Sequence, residues 1–370
     1  MNPLQAHQET GPIAFAERVL TLLDQGAFTA TYKYAVLLGI IDVCMERVTR
    51  TGVPPDTVTT RQLAEKIVEL YWPQTIPYPR GNDTAVLRQN TRGQAEIVSL
   101  TQQFRSRIAH DPFAPLHRAR IAAPDAFERL IRNVEWKLIE MPLPRLQTIG
   151  LGEDRFLYEI SWDQDVSLAD VRQYQEGGPD DDFDNSIKLK ANIAEYLIQL
   201  NGVLRPFIHR QWAAMVARVN RMEEDRLERF LFGTERVDLG PVRHALLDLQ
   251  QGKCFYCNTR VRQHAHVDHF IPWSRYPDDA LDNLVVADQR CNSAKRDFLA
   301  SARHVAKWRE RTSHSILDEI AAVSSWFRHA DATLGVVRAV YLRLPAHVRL
   351  WDGGKEFVEN VPGELRKALG

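Results

Sequence analysis

Between Cys254 and Lys295 the chain gathers residue types that do chemistry together. Cys254 and Cys257 make a Cys-x-x-Cys knuckle, Asp268 and His269 are adjacent, Asn283 sits between Asp282 and Leu284, and Cys291-Asn292 is followed by Lys295. A histidine titrates near neutrality and can take a proton from water. Carboxylate and carboxamide oxygens suit a hard divalent ion such as Mg2+, which keeps several waters and needs only one or two protein groups. Thiolates suit zinc. Three of the four cysteines, Cys254, Cys257 and Cys291, fall in this one region and only Cys44 lies far upstream. That clustering points to a metal site in a reducing compartment rather than a disulfide framework. Taken singly, an Asp-His pair is most often surface decoration, and an asparagine before Leu-Val-Val most often opens a strand. The order and spacing set the group apart.

The elements that must position these residues are short. The stretch around His264 to Phe270 is β-compatible, Pro272 and the Tyr276-Pro277-Asp278-Asp279 turn make a loop, and Asn283 to Ala287 reads as a second strand. From Gln289 helical spacing runs on through Trp308. The order is knuckle, strand, loop, strand, helix.

This order resembles the HNH nuclease pattern, in which a β-hairpin packed on a helix grips one divalent ion. The residues that carry the resemblance are Asp268-His269, Pro272, Asp282-Asn283-Leu284, Cys291-Asn292 and Lys295. Over residues 253–299 the chain is similar to the HNH domains of restriction-type endonucleases and to the HNH cutting domain of RNA-guided CRISPR effectors. The resemblance implies hydrolysis of DNA phosphodiesters, with His269 as general base and Asp268 and Asn292 as ligands of Mg2+ (or Mn2+). Asn283 resembles the family's structural asparagine, which ties down the loop and orients the histidine. Neighbours on a regular strand face opposite ways. The resemblance therefore implies that Asp268 and His269 sit where the strand ends.

Many HNH domains also hold a structural zinc between two knuckles. Here Cys254, Cys257 and Cys291 are present, and Asp288 stands where the second knuckle would have its first cysteine. Asp288 can complete a tetrahedron, since zinc accepts carboxylate oxygen. His264 or His266 is the alternative fourth ligand, and three cysteines packed without metal is the alternative to any zinc. Cys44 reads as a free core thiol.

Outside this window the chain reads as ordinary helical protein. Its composition, 44% hydrophobic and 26% charged with a formal net charge of −1, fits a globular fold and excludes a bulk basic character. Any nucleic-acid surface must be local. The run from Arg290 to Arg311 supplies one, with Arg290, Lys295, Arg296, Arg303, Lys307, Arg309 and Arg311 against only Asp297 and Glu310. Of these, Lys295, Arg296, Arg290 and Arg303 are the candidate phosphate contacts. A solvated helix face is the commoner meaning of such a run. The longest apolar stretch, Tyr34 to Met45, is too short to span a bilayer and contains Asp42. No secretory signal is visible, so a cytoplasmic protein is expected.

The fold class expected is mainly α with a small α+β module: a helical N-terminal region, a ββα-metal HNH domain and a helical C-terminal cap. The boundaries expected are 1–235 for target recognition or regulation, 239–300 for the nuclease and 301–370 for the extension. The acidic loop at 174–185 is a candidate division of the first region into two lobes. Helices are expected at Ile13–Leu23, Tyr34–Val48, Leu63–Tyr71, Thr84–Ile108, Pro124–Ile139, Lys190–Met222 and Leu239–Gln250, with a strand at Arg155–Trp162. Within this frame the chain reads as a metal-dependent DNA endonuclease of a bacterial restriction or anti-phage system. It would act on modified or foreign DNA, as a homodimer or with a defence-system partner, and away from membranes. The alternative is a nucleic-acid-binding module that keeps a zinc-stabilised HNH fold without cutting.

Overall fold

The computed structural model describes residues 11–26, 29–80, 83–108, 114–150, 152–177, 183–224, 227–233, 238–261, 265–312 and 315–370. The chain folds as two compact units, one of residues 1–44 with 55–236 and one of residues 45–54 with 237–370. Residues 239–300 and 301–370 thus share one unit, and both sides of the 174–185 loop belong to the other.

The first unit is mostly helical. In chain order it holds α1 (Pro12–Gln25), α2 (Tyr32–Glu46, whose last two residues belong to the second unit), β1 (Thr57–Thr59), α3 (Thr60–Tyr71), β2 (Tyr78–Arg80), β3 (Asp83–Ala85) and α4 (Glu96–Ile108). It continues through α5 (Leu116–Ala122), α6 (Pro124–Glu140), α7 (Pro142–Arg145), β4 (Thr148–Ile149), β5 (Gly152–Glu153), β6 (Tyr158–Glu159), α8 (Leu168–Glu176), β7 (Ser186–Leu189), α9 (Ile193–Asn220) and α10 (Leu227–Phe232). Helix α2 is buried all round along Val36 to Ile41, as expected of a helix apolar on every side. Gly39 lets α3 close on it, since a Cβ there would lie 2.7 Å from a Leu63 methyl. Thr59 starts α3 with a capping box, its hydroxyl accepting from Gln62 N while the Gln62 side chain accepts from Thr59 N. β1, β7 and β6 form an antiparallel sheet in that order.

Two expectations in this unit are corrected. Residues 84–95 are not helical, because the backbone of Gln89 and Thr91 bonds to Thr31 and Thr29 instead of to its own turn. The strand expected over Arg155–Trp162 is reduced to Tyr158 and Glu159; the Gln147 side chain takes the Leu157 amide at 2.7 Å, while the Leu157 carbonyl still accepts from Lys190 N. Residues 178–182 of the acidic loop lie outside the described residues, and the loop's first residues belong to α8.

The second unit holds α11 (Gly240–Leu249), the hairpin β8 (His266–His269) and β9 (Leu284–Ala287), α12 (Gln289–Lys295), α13 (Ala302–Thr312), α14 (Ile316–Ser324), α15 (Ala330–Tyr341), the hairpin β10 (Arg349–Gly353) and β11 (Glu356–Glu359), and α16 (Pro362–Leu369). Val242, Leu246, Leu281, Leu284, Val286, Leu317, Ile320 and Trp326 make one apolar cluster under the β8–β9 hairpin. Phe270 stacks on Trp308 at 5.3 Å. Residues 45–54 join this unit closely: a Cβ at Gly335 would fall 1.9 Å from the Glu46 carbonyl oxygen, so only glycine lets α15 lie there.

The single helix expected from Gln289 onward is broken. Arg296 adopts φ 47° and ψ −128°, and the chain then runs extended so that Leu299 O and Ser301 N bond to Trp351. The C-terminal cap is likewise not purely helical, since Trp351 belongs to β10. Among the described residues no helix is long and apolar enough to cross a membrane.

Candidate active site and metal-binding cluster

The knuckle is a tight turn fixed to the hairpin. Cys254 N donates to Thr259 O, Asn258 N donates to Cys254 O from a left-handed φ of 60°, and Phe255 N donates to Val286 O of β9. Asparagine tolerates that backbone region better than most residues. At the other side of the cluster Asp288 caps α12, its Oδ1 accepting from Cys291 N at 2.9 Å. Its Oδ2 faces Cys257 Sγ at 3.1 Å. The ligand atoms of Cys254, Cys257, Asp288 and Cys291 all lie within 4.8 Å of one another. A tetrahedral zinc with sulfur at about 2.3 Å needs edges of about 3.8 Å, so this donor set fits the ion. It is the only group of at least three His, Cys, Asp or Glu ligands brought together among the described residues. His266 lies on β8 opposite Ala287 and is not part of it; His264 lies outside the described residues.

Ionisation within the cluster is uneven: Cys254 and Asp288 are drawn down, while burial pushes Cys257 up and Cys291 keeps its proton. The Cys291 thiol donates to Cys254 and, against burial, draws the Cys254 thiol down to about 6, while Cys291 itself is pushed up. Burial opposes ionisation of Asp288, but the Cys291 amide and the neighbouring thiols hold its carboxyl at about 2. A metal would displace the remaining thiol protons.

Asp268 and His269 are the last two residues of β8, opposite Val285 and Leu284. Beyond them the chain turns away, with Phe270 N bonded to Asn283 O and Ile271 N to Asn283 Oδ1. Asn283 is buried, and its Nδ2 donates to the carbonyls of Asp278 and Ile271, so one side chain closes the whole loop between the strands.

The two neighbours face different partners. Asp268 Oδ2 accepts from Tyr256 Oη at 2.5 Å and pairs with Lys295 Nζ at 3.1 Å. No donor among the described residues is placed on Oδ1. His269 turns the other way, its Nε2 2.7 Å from Asp279 Oδ1 and its ring edge-on to Trp273 at 5.3 Å. Lys295 Nζ also donates to the His269 carbonyl at 2.9 Å, so one ammonium ties both residues to α12. Asn292 lies one turn before Lys295 on that helix, partly exposed.

The expected phosphate contact at Lys295 is corrected: the residue is 0% exposed and held internally by Asp268 and His269. Much of the basic run is also structural. Buried Arg311 donates to the carbonyls of Leu284 and Asp282, Lys307 donates to Phe255 O, and Arg303 is exposed but paired with Asp352 at 2.6 Å. Arg290 and Arg296 are exposed beside Asn292 in sequence.

Sequence reasoning missed the residues that hold the site from outside it. Tyr256 lies inside the knuckle, where only its place between two cysteines could have drawn notice. Asp279 sits in a turn-forming run that gives no sign of facing a histidine. Trp326 Nε1 donates to Asp279 O, Thr333 to Asp278 Oδ2, Trp308 Nε1 to Asp282 O, and Arg328 pairs with fully buried Asp282 at 2.8 Å. The chain from α13 to α15, including the connection that carries Trp326 and Arg328, is therefore the floor of the loop.

The sequence profile described as HNH endonuclease matches residues 254–301, so the segment carrying this site is similar to HNH endonuclease modules. No curated protein and no solved structure gives a significant match to the chain.

Proposed function

We propose that the chain is a metal-dependent endonuclease that hydrolyses DNA phosphodiesters. The observation that carries the reading is the Asp268–His269 pair at the end of β8, held to the Asn292 helix by Lys295 inside the HNH-matched segment. His269 accepts a proton from water at Nδ1, since Nε2 is committed to Asp279. The water oxygen bonds to phosphorus, the bond from phosphorus to the 3′ oxygen breaks, and that oxygen takes a proton from solvent. Asp268, through Oδ1, and Asn292, through its carboxamide oxygen, fit Mg2+ (or Mn2+); the bound ion supplies charge stabilisation at the phosphate and leaving oxygen. Asn283 keeps the loop closed so that His269 stays aimed. Arg290 and Arg296 steer the backbone, while Arg303 donates to Asp352. Cys254, Cys257, Cys291 and Asp288 hold a structural zinc.

Phosphate contacts position a protein and do not read sequence. Target choice is therefore assigned to residues 1–235, acting on modified or foreign DNA in a restriction or anti-phage setting in the cytoplasm. One HNH site cuts one strand, so a double-strand break needs a homodimer, a partner protein or two successive nicks.

The second reading, a binding module that does not cut, draws on Lys295, which neutralises one oxygen of Asp268. Supercoiled plasmid incubated with the protein and Mg2+ or Mn2+, with chelator as control, separates the two. Nicking that falls roughly 10²–10⁴-fold in His269→Ala supports the nuclease. Metal-dependent binding without cleavage, or an undiminished His269→Ala variant free of contaminants, rejects it.

A further inference from the structure

We infer that Asp279 is a positioning residue that fixes the tautomer and aim of His269; this rests on the nuclease reading of the same site. The carboxylate lies 2.7 Å from His269 Nε2, and the two side chains are only 12% and 18% exposed. A carboxylate can only accept, so Nε2 carries the hydrogen and Nδ1 is left with its lone pair. An imidazole held this way presents an acceptor to water throughout, whereas a free one spends part of its time with Nδ1 protonated and unable to act as a base.

The hold on Asp279 is itself built rather than incidental. Its carbonyl accepts from Trp326 Nε1 at 2.7 Å, and the preceding residue is pinned on three sides. Asn283 Nδ2 takes the Asp278 carbonyl at 2.9 Å, Ala280 N takes Asp278 Oδ1 at 2.8 Å, and Thr333 takes Asp278 Oδ2 at 2.9 Å. Across the ring Trp273 stands edge-on, which limits rotation. Of two adjacent aspartates, Asp278 is spent on structure and Asp279 on the histidine. The proton taken from water goes to Nδ1, and the resulting imidazolium keeps its Nε2–H on Asp279, which balances the charge.

The test uses the full chain with Asp279→Asn, Asp279→Ala and Asp279→Glu. At saturating DNA and Mg2+ the first two are expected to cut roughly 10²-fold more slowly, with the DNA concentration for half-maximal rate and the melting temperature little changed; Asp279→Glu recovers part of the rate. Histidine-selective 15N spectra, with His269 assigned from His269→Gln, are expected to show Nε2 protonated and Nδ1 bare in the wild type and a mixture in Asp279→Ala. Cutting by Asp279→Asn within threefold of wild type, or an unaltered His269 tautomer in Asp279→Ala, overturns the inference. So does a rise in the Mg2+ requirement at an unchanged maximal rate, which makes Asp279 a metal ligand. If the wild type cuts nothing, the nuclease reading fails, and the spectra still decide whether Asp279 holds the histidine.

Discussion

Replacing Tyr256 by phenylalanine removes one oxygen and tests whether the knuckle positions the proposed metal ligand. Tyr256 is 3% exposed, and its hydroxyl donates to Asp268 Oδ2 at 2.5 Å. Its ring packs edge-on against Trp351 at 5.1 Å and Phe255 at 5.1 Å, contacts that phenylalanine keeps. The loss is therefore confined to one charge-assisted hydrogen bond, worth about 1.5–3 kcal/mol. Lys295 alone then restrains the carboxylate, from 3.1 Å. Removing the partner of a metal ligand typically costs 10–100-fold in metal affinity or activity. In a plasmid-nicking assay titrated with Mg2+, Tyr256→Phe is expected to need roughly ten times or more the wild-type Mg2+ for half-maximal rate, with a modest drop in melting temperature. An unchanged Mg2+ requirement in a folded variant would refute the claim that Tyr256 orients Asp268.

Two further outcomes are expected. Cys254→Ser should lose zinc by elemental analysis and unfold at lower temperature, while Asp288→Cys should keep one zinc per chain against higher chelator and give up about 1 kcal/mol of helix capping; a wild type purified without zinc would leave the cysteines as packing residues. For pH, burial lowers His304 to about 4 from 6.5, so between these values the unfolded chain binds a proton that the folded chain refuses. Stability should fall by up to about 3 kcal/mol as pH drops from 6.5 towards 4, and His304→Gln should flatten that slope; parallel acid-unfolding curves for the two proteins would rule this out.

What could be read from the sequence followed from how local each signal is. Helices such as α6 and α9 announced themselves because their burial repeats every turn, whereas the Asp268, His269, Asn283 and Asn292 set rested on the resemblance to the HNH order, and the structure places its members at the end of β8, just before β9 and on α12. Residues 84–95 misled because their backbone is satisfied by Thr29 and Thr31, far away in the chain. The basic run misled for the same reason. Lys295, Lys307 and Arg311 are cations by composition, yet each donates to carbonyls or a carboxylate of the hairpin and knuckle. Asp279 was hidden because Asp278 beside it is the same residue type, and only the positions of Trp326 and Thr333 decide which of the two faces His269.

The two proposed metal sites are not separate devices. The knuckle that supplies Cys254 and Cys257 also supplies Tyr256 to Asp268, and α12, which begins at the cap Asp288, carries Cys291, then Asn292, then Lys295. Every group assigned to the catalytic ion is thus within one residue or one helical turn of a group assigned to zinc, or is bonded to one that is. Asp288 shows why a carboxylate works where a thiolate would be expected. A cysteine offers one ligand atom and cannot cap well, whereas Asp288 spends Oδ1 on the first turn of α12 and turns Oδ2 to the sulfurs. Fixing the start of α12 in this way fixes Asn292 one turn later, so zinc loss should disable cutting before it unfolds the second unit as a whole.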